Sequence, residues 1–268
     1  MFQYNPNLQY MMPGHFGIPH TEKSSLLYLD VTSISVGYLT DREKLEQYLP
    51  EHFEIRGEPI LSVYYAMNRE VEWLAGGGYN LLGVDVPVHF NGERDQVDGS
   101  FNLVLWENDT DAIVSGRELL GVPKIFADIE DHKVIQGEWR TSASNRGQTI
   151  VDISVKGLEP IPEDVLQEQR VANADSSWLG YRYVPNIGGP GAALEEATCI
   201  PTGGSPREAW AGTGEVTWHH STWERNPTQW HIMNALADLP ILEYRWALVS
   251  KGGSTLADAN KKPLRTLR

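Results

Sequence analysis

Cysteine is almost absent from this sequence of 268 residues, which contains only Cys199. A lone cysteine excludes an intramolecular disulfide framework and any metal site built from several cysteines. The acidic residues that precede it in EEATCIPT disfavour a thiolate, so the pattern does not indicate a cysteine nucleophile. The chemistry of this protein is therefore expected to depend on another residue type.

Basic residues and long apolar runs are also scarce. The sequence has 22 Lys and Arg residues against 36 Asp and Glu residues, for a formal net charge of −14. Such a charge repels nucleic-acid phosphates and anionic lipids. No apolar run approaches the roughly 20 residues that span a bilayer, and the N-terminus lacks the pattern of a signal peptide. We expect a cytoplasmic protein that binds neither nucleic acid nor a membrane.

Several familiar functional motifs are missing as well. There is no Gly-x-Ser-x-Gly nucleophile elbow, and the glycine-rich GGGYNLLG lacks the register of a dinucleotide site. His219 and His220 are adjacent on a predicted strand, where neighbouring side chains point to opposite faces. No two histidines have the i, i+4 helical spacing of a zinc enzyme. We therefore expect neither a metal nor a cofactor.

Most of the chain consists of short runs rich in β-branched and aromatic residues, separated by Gly, Asn and Asp turns. This spacing favours an antiparallel sandwich or barrel over βαβ units. The predicted strands are LLYLDVTSISVGYL, ILSVYYAM, VDVPVHF, FNLVLW, DAIVS, KVIQGEW, TIVDISV, GYRYVP, AALEEATCI, GEVTWHH and LEYRWALVS. The predicted helices are few: TDREKLEQYLP, PEDVLQEQRVA, PTQWHIMNALADL and the last residues. In the first of these, Thr40 and Glu43 have capping-box spacing.

The domain organisation is predicted to be simple. Residues 1–25 are rich in Asn, Pro, Met and aromatics without periodicity, which indicates an irregular arm that packs on the body or on a neighbouring subunit. Residues 26–268 contain no internal repeat, low-complexity tract or linker, which predicts a single domain. The predicted fold class is α+β, and mainly β.

The segment GRELLGVPKIF places a lysine, Lys124, among apolar neighbours and directly after Pro123. Most lysines beside apolar residues extend their charged end to water. If this segment faces inward, however, burial would favour the neutral amine, because the charged form loses its hydration. A neutral amine can attack a ketone and form a Schiff base, whose protonated form withdraws electrons from the adjacent carbon. The segment is therefore suited to imine chemistry.

SGRELLGVPKIF resembles the signature of the acetoacetate decarboxylase-like superfamily, in which Gly-Arg-Glu, an apolar pair and Gly-x-Pro-Lys carry a Schiff-base lysine. Similar segments follow the order of the family: GGGYNLLGVDVPVHFNGE, YRYVPNIGGP, GTGEVTW and LADLPILEYRWALVSKGGSTL. The resemblance implies a closed, cone-like antiparallel β-barrel with an extra sheet and a few peripheral helices, in a homo-oligomer. It implies that Lys124 is the Schiff-base lysine and that Arg117 and Glu118 shape or polarise the mouth of the pocket. Tyr79, which begins the Tyr-x-x-x-Gly element, is placed with the substrate-binding residues.

The sequence also departs from the family pattern. The second lysine of true acetoacetate decarboxylases is replaced by Ile125, and the carboxylate of their Tyr-x-Glu-x-Gly element by Leu81. A second pocket glutamate corresponds to Tyr65, and an arginine on the early strand to Val31. These replacements predict a more apolar cavity, in which Lys124 is tuned by burial and not by a neighbouring ammonium. The expected substrate is a keto acid bulkier or more apolar than acetoacetate.

Three functions remain open. The first is a Schiff-base lyase that needs no cofactor, because the imine is the electron sink while a β-keto acid loses carbon dioxide. The second is an aldolase–dehydratase or hydratase that acts on an α-keto acid such as pyruvate. The missing carboxylate at Leu81 favours this second function, but its general acid/base could only be Tyr79, Asp85 or Glu72, which are weak candidates. The third is a catalytically silent barrel that binds a small apolar ligand.

Overall fold

The computed structural model describes residues 3–18, 26–257 and 264–268. Residues 1–2 and 19–25 of the predicted N-terminal arm lie outside the described residues, and so does a short segment of the predicted domain near its C-terminal end. Most side chains of the described part of the arm are exposed.

Strands dominate the described residues, as the alternating sequence pattern predicts. All of them belong to one hydrogen-bonded sheet. The strands are β1 (Leu26–Leu39), β2 (Phe53–Ile55), β3 (Ile60–Val71), β4 (Tyr79–Asn91), β5 (Gln96–Glu107), β6 (Lys124–Phe126), β7 (Lys133–Ile135), β8 (Glu138–Asn145), β9 (Gln148–Pro160), β10 (Ser177–Pro185), β11 (Ala192–Trp218), β12 (Glu243–Leu256) and β13 (Arg265–Leu267).

Seven strands close into a ring in the order β10-β5-β4-β3-β1-β12-β11, because β10 also pairs with β11. The strands β9, β8 and β7 continue outward from β11 as an extension of the sheet. The ring and its extension agree with the predicted barrel and extra sheet. Two pairings are parallel, however: β5 with β6 and β5 with β10. The chain can return parallel to β5 because a helical crossover separates β5 from β6.

The helices are few, as predicted, and most are shorter than the predicted segments. They are α1 (Arg42–Glu46), α2 (Thr110–Ser115), α3 (Glu163–Asn173) and α4 (Trp230–Ala237), together with 3-10 turns at Gly14–Phe16 and Glu72–Leu74 and a π-helical turn at Gly116–Leu120.

Several local predictions are wrong. KVIQGEW, predicted as one strand, is a hairpin of β7 and β8, and His219 and His220 lie just beyond the end of β11 and not on a strand. The run DAIVS, predicted as a strand, lies in α2, where the side chain of Asp109 caps the helix by accepting from the backbone N of Ala112 at 2.9 Å. A short apolar run does not distinguish strand from helix, and the cap decides here. The last residues form β13 and not a helix, because they pair with β11. The N-cap of α1 is Asp41 and not Thr40.

Two buried clusters lie on opposite faces of β3 and β4. The larger cluster contains Tyr65, Leu82 and Trp106. The smaller cluster contains Leu81 and Leu105. Because successive side chains on a strand point to opposite faces, two neighbouring residues of β3 or β4 contribute to different clusters. The candidate site lies on the face of the smaller cluster.

The strand register brings residues from four strands into one row on that face. Tyr64 of β3 is opposite Gly83 of β4, Gly83 is opposite Leu105 of β5, and Leu105 is opposite Lys124 of β6. In the adjacent row of the same face, Leu81 is opposite Glu107. The register therefore places the lysine of the sequence motif beside a carboxylate at the end of another strand.

Candidate active site

The backbone of the Gly-Val-Pro-Lys segment directs Lys124 into the protein. Gly121 ends the π-helical turn in the left-handed region, with φ of +76°, and a Cβ at this position would approach the side chain of Arg182. Pro123 follows, and its carbonyl oxygen accepts from the backbone N of Leu105 at 3.2 Å. Glycine is required by this conformation, and proline supplies an extended entry into β6.

Two groups hold the Lys124 amine, and a glycine packs against its side chain. Its Nζ lies 2.9 Å from Oε1 of Glu107 and donates to the backbone carbonyl oxygen of Ala112 at 3.2 Å. A Cβ at Gly116 would overlap Cδ and Cε of Lys124 and lie 2.8 Å from Nζ. The lysine is buried, with 3% of its surface exposed. The side chain therefore packs on a glycine of the π-helical turn, and its amine is not hydrated as a surface lysine is.

Glu107 is the partner of this amine and ends β5. It is completely buried, and within the described part of the chain its Oε2 has no hydrogen-bond partner. Burial raises the pKa of Glu107 above its ordinary value, while the positive charge of Lys124 opposes the rise. The pair is thus a buried amine and a buried acid between which a proton can move.

A cavity of about 250 Å³ lies against this pair. Its walls are mainly apolar and aromatic and include Tyr28, Val31, Tyr64, Tyr79, Leu81, Trp178 and Leu256. Among the described residues that line it, Lys124 and Glu107 are the only Lys, Arg, His, Asp or Glu. The cavity is therefore an apolar space with one amine–carboxyl pair in its wall.

The structure brings together only part of the predicted site. Leu81, Val31 and Tyr79 line the same cavity as Lys124. Tyr65 does not, because it points to the opposite face of β3 into the larger core, where its hydroxyl accepts from the backbone N of His132. The neighbouring Tyr64 lines the cavity instead.

The remaining predicted residues lie outside the lining. Ile125 follows Lys124 on β6 and packs against the larger core, on the other face. Arg117 is exposed, and its Nη1 donates to the carbonyl oxygen of Lys124 at 3.0 Å, so it supports the backbone of the lysine. Glu118 is half-buried in the π-helical turn and does not line the cavity.

The predicted acid/base candidates occupy three different environments. Tyr79 lies in the cavity wall, where burial raises its pKa well above the ordinary value. Asp85 lies on the same face beyond Gly83, and its Oδ1 accepts from Nδ2 of Asn102 at 2.6 Å and from the hydroxyl of Tyr64 at 3.3 Å. Burial raises the pKa of Asp85 to about 7. Glu72 is exposed and does not line the cavity.

Sequence reasoning missed several residues of the cavity, including Glu107, Tyr64 and Asn68. Glu107 has a recognisable signal, since it is an acidic residue at the end of the apolar strand FNLVLWE. Its contact with Lys124 depends on the parallel pairing of β5 and β6, which the local sequence does not specify. The resemblance matched the second pocket glutamate of the family to Tyr65, but the residue that lines the cavity is its neighbour Tyr64.

A second cleft, of about 340 Å³, is lined by exposed and partly buried side chains of the β8–β9 region, mostly polar or charged, including Glu138, Arg140 and Asp152. It contains no buried amine, so we consider the Lys124 cavity to be the candidate active site. Within the described ranges no three His, Cys, Asp or Glu side chains are grouped as a metal site. No helix in the same ranges is both long and apolar enough to cross a membrane.

Comparisons with known proteins agree on one family. The sequence profile described as acetoacetate decarboxylase (ADC) matches residues 12–259. An acetoacetate decarboxylase of Burkholderia vietnamiensis is 27% identical over 216 residues, which cover 81% of this chain and 79% of that protein.

Solved structures share the fold at low sequence identity. The acetoacetate decarboxylase of Legionella pneumophila has a TM-score of 0.73 at 16% identity, over 99% of this chain and 98% of that chain. MppR, described as an enduracididine biosynthesis enzyme in complex with the condensation product of pyruvate and imidazole 4-carboxaldehyde, has a TM-score of 0.71 at 15% identity, over 98% and 97% of the two chains.

Proposed function

The chain belongs to the acetoacetate decarboxylase family, and from this premise we propose that it is a lyase that forms a Schiff base between Lys124 and a carbonyl substrate. The protonated imine serves as the electron sink while a carbon–carbon bond breaks. The substrate that we propose is a β-keto acid bulkier or more apolar than acetoacetate, from which carbon dioxide leaves. The reaction requires no resident cofactor, because the imine does the work that a cofactor does in other lyases.

The observation that carries the proposal is the burial of the Lys124 amine beside Glu107 in the wall of a cavity. Their side chains are 4% and 0% exposed. In so poorly hydrated a site, a neutral amine beside a neutral acid avoids the cost of burying two charges. Burial raises the pKa of Glu107 above its ordinary value, so this carboxyl is suited to donate a proton beside the amine. The pair can therefore hold a nucleophile and a proton donor side by side.

The steps of the reaction balance with these two groups, water and one proton from solvent. The amine nitrogen of Lys124 attacks the ketone carbon, and the ketone oxygen takes the proton of Glu107. Loss of water from the resulting carbinolamine gives the protonated imine. The bond to the carboxylate then breaks, its electron pair moves toward the iminium nitrogen, and carbon dioxide and an enamine form. A proton from solvent adds to the enamine carbon, and hydrolysis of the resulting iminium by water releases the ketone, restores the amine and returns a proton to Glu107.

The lining of the cavity supports a substrate larger or less polar than acetoacetate. Leu81 and Val31 are apolar, and the wall also carries Trp178 and Leu256. A keto acid with an apolar chain would bury that chain against these residues, which is favourable. The carboxylate that leaves as carbon dioxide has no cation in the described lining other than Lys124. A poorly paired carboxylate in an apolar cavity is destabilised relative to neutral carbon dioxide.

Glu107 favours aldol condensation and dehydration as a second candidate function. Such chemistry needs a general acid/base close to the imine, and Oε1 of Glu107 lies 2.9 Å from Nζ of Lys124. MppR, which shares the fold, has been solved with the condensation product of pyruvate and an aldehyde. The substrate of this reaction would be an α-keto acid such as pyruvate together with an aldehyde.

The test is reductive trapping across a panel of β-keto acids, pyruvate with aldehydes, and simple ketones. Sodium borohydride reduces an imine to a stable amine, and mass mapping of peptides locates it. We expect an adduct on Lys124 in the wild type and none in Lys124→Met. Lys133 is exposed, so Lys133→Met is the matched control and should trap like the wild type.

Product analysis separates the candidates. Release of carbon dioxide from β-keto acids supports the decarboxylase, whereas enone formation from pyruvate and an aldehyde supports the second candidate. If no carbonyl compound gives an adduct on Lys124 while apolar ligands still bind, the protein is a silent binding barrel and the proposal is wrong.

A further inference from the structure

Asn68 of β3 lines the same cavity as Lys124 and is buried, with 3% of its surface exposed. Among the residues that the structure describes, its amide nitrogen Nδ2 has no hydrogen-bond partner. A buried amide without a partner is unfavourable, because it has lost its hydration and gained no bond in return. This arrangement is expected where a ligand supplies the missing partner.

The side chains that line the cavity next to Asn68 are uncharged. In the strand register Asn68 lies between Val31 of β1 and Tyr79 of β4. The hydroxyl of Tyr79 lies 3.2 Å from that of Tyr28, which accepts from Nε1 of Trp73 at 3.4 Å. We call Asn68, Tyr79 and Tyr28 the neutral end of the cavity. It offers amide and hydroxyl groups that can hydrogen-bond to an oxygen without adding a charge.

The neutral end lies two strand residues away from the row that contains Glu107. Tyr79 and Leu81 are two residues apart on β4, and Leu81 is opposite Glu107 on β5. Two residues of strand span about 7 Å. An extended chain covers about 7 Å in roughly six covalent bonds. We therefore take about six bonds from the imine carbon as the length at which a substrate atom first reaches the neutral end.

The charged residues that line the cavity make an anion unfavourable at its neutral end. Lys124 is the only Lys, Arg or His in the described lining, and it is already paired with Glu107. A carboxylate at the neutral end would be buried without a counter-charge, which is strongly unfavourable. A hydroxyl, ether or carbonyl oxygen would accept from the amide of Asn68 at no such cost.

We propose that Asn68 and Tyr79 form a specificity subsite for an uncharged oxygen of the substrate. The substrate class is then a carbonyl compound whose chain carries a second, neutral oxygen about six bonds from the carbonyl carbon that forms the imine. This inference rests on the proposed imine at Lys124, but not on which bond breaks afterwards.

The test compares three ketones that differ only at the end of the chain. 2-Heptanone has no second oxygen, 7-hydroxy-2-heptanone has a neutral one, and 6-oxoheptanoate has a carboxylate. The apparent affinity of each is measured from the concentration dependence of borohydride trapping on Lys124. For the wild type we expect the hydroxyketone to bind about tenfold more tightly than 2-heptanone, which corresponds to one net hydrogen bond. The keto acid should bind most weakly of the three.

Asn68→Leu keeps the size of the side chain and removes the amide. We expect the tenfold preference to fall to about one, while 2-heptanone binds at least as tightly as before. The melting temperature should be unchanged or higher, since an unpartnered amide is replaced by an apolar group. The control is Leu81→Met, a volume-conserving change in the same wall, which should alter both affinities equally and keep their ratio.

The outcomes are distinguishable. Equal affinity of the hydroxyketone and 2-heptanone in the wild type, or an unchanged preference in Asn68→Leu, overturns the subsite and leaves the proposed function standing. Absence of any adduct on Lys124 with all three ketones overturns the proposed function and the subsite together.

Discussion

The amine nitrogen of Lys124 lies 2.9 Å from a carboxylate oxygen of Glu107, and both side chains are buried. Lys124 begins β6 and Glu107 ends β5, so the parallel pairing of these strands brings the two groups together. A buried amine beside a single carboxyl can transfer its proton directly to that carboxyl. This relationship, and not apolar burial alone, distinguishes the environment of Lys124 from the one expected from the sequence.

Replacement of Glu107 tests this relationship. Glu107→Gln keeps the shape of the side chain but cannot accept the proton of Lys124. We expect kcat to fall about 10²- to 10⁴-fold, the usual range for loss of a general acid/base. The rate of borohydride trapping on Lys124 should fall with it. Chemical unfolding is measured in parallel, so that a loss of folding is not mistaken for a loss of catalysis.

Glu107→Asp is the control, because it keeps the acid and shortens the side chain by one methylene. It should retain more activity than Glu107→Gln. Equal activity of Glu107→Gln and the wild type in a correctly folded protein would show that the carboxyl takes no part in the reaction.

Replacement of Gly116 tests the packing of the lysine stem. A Cβ at Gly116 would overlap Cδ and Cε of Lys124. Gly116→Ala should therefore displace the amine from Glu107 and reduce trapping at least tenfold, since a small misplacement of a reacting group is costly. Gly189→Ala is the control, because a Cβ at that glycine would meet nothing within 4 Å. If the two variants trap at equal rates, the close contact with Gly116 is unimportant.

The pH dependence of the free energy of unfolding should reveal the raised pKa of Asp85. Burial raises the pKa of Asp85 to about 7 from an ordinary value of 3.8. Between these values the native state binds more protons than the unfolded state, so the free energy of unfolding falls as pH rises from about 4 to 7 and levels off above. At about 1.4 kcal/mol for each pKa unit, this carboxyl contributes at most about 4 kcal/mol to the fall.

Asp85→Asn should remove this contribution, because the amide oxygen still accepts from Asn102 and Tyr64 but carries no charge. Urea unfolding at pH 5, 6, 7 and 8 measures the effect, and the variant should gain stability over the wild type most strongly at pH 8. Asp111→Asn, a change at an exposed residue, serves as the control. If the free energy of unfolding falls equally with pH in the wild type and in Asp85→Asn, the fall does not come from Asp85.

Val31→Arg tests the lack of a cation in the cavity wall. Val31 lines the cavity, and a guanidinium there would face the carboxylate of a short keto acid. We expect the KM for acetoacetate to fall about tenfold, as for a single charge-assisted hydrogen bond. Val31→Met has a long side chain without charge and should not lower this KM. An equal effect of both variants would mean that cavity shape, and not charge, limits the use of acetoacetate.

Local features of the chain were predictable where a short motif decides them. The Gly-Arg-Glu…Pro-Lys string identified Lys124, and strand-like runs separated by turns predicted a mainly β fold with few helices. Both rest on properties of neighbouring residues, such as alternation and the conformations of glycine and proline. DAIVS was predicted wrongly for the same reason, since its apolar pattern is too short to have a period and Asp109 makes it a helix.

The sequence by itself determined that one lysine lies in an apolar, proline-directed segment of a β-rich chain. Only the tertiary structure decided what that lysine meets. The strand register exposes Tyr64 and not Tyr65 to the cavity, because residues alternate between the faces of β3. The pairing of β5 with β6 supplies Glu107, and the register of β3, β4 and β5 places Asn68 and Tyr79 on the same face as the lysine. These contacts join residues far apart in the chain, and no local pattern specifies which distant strands pair or in which register.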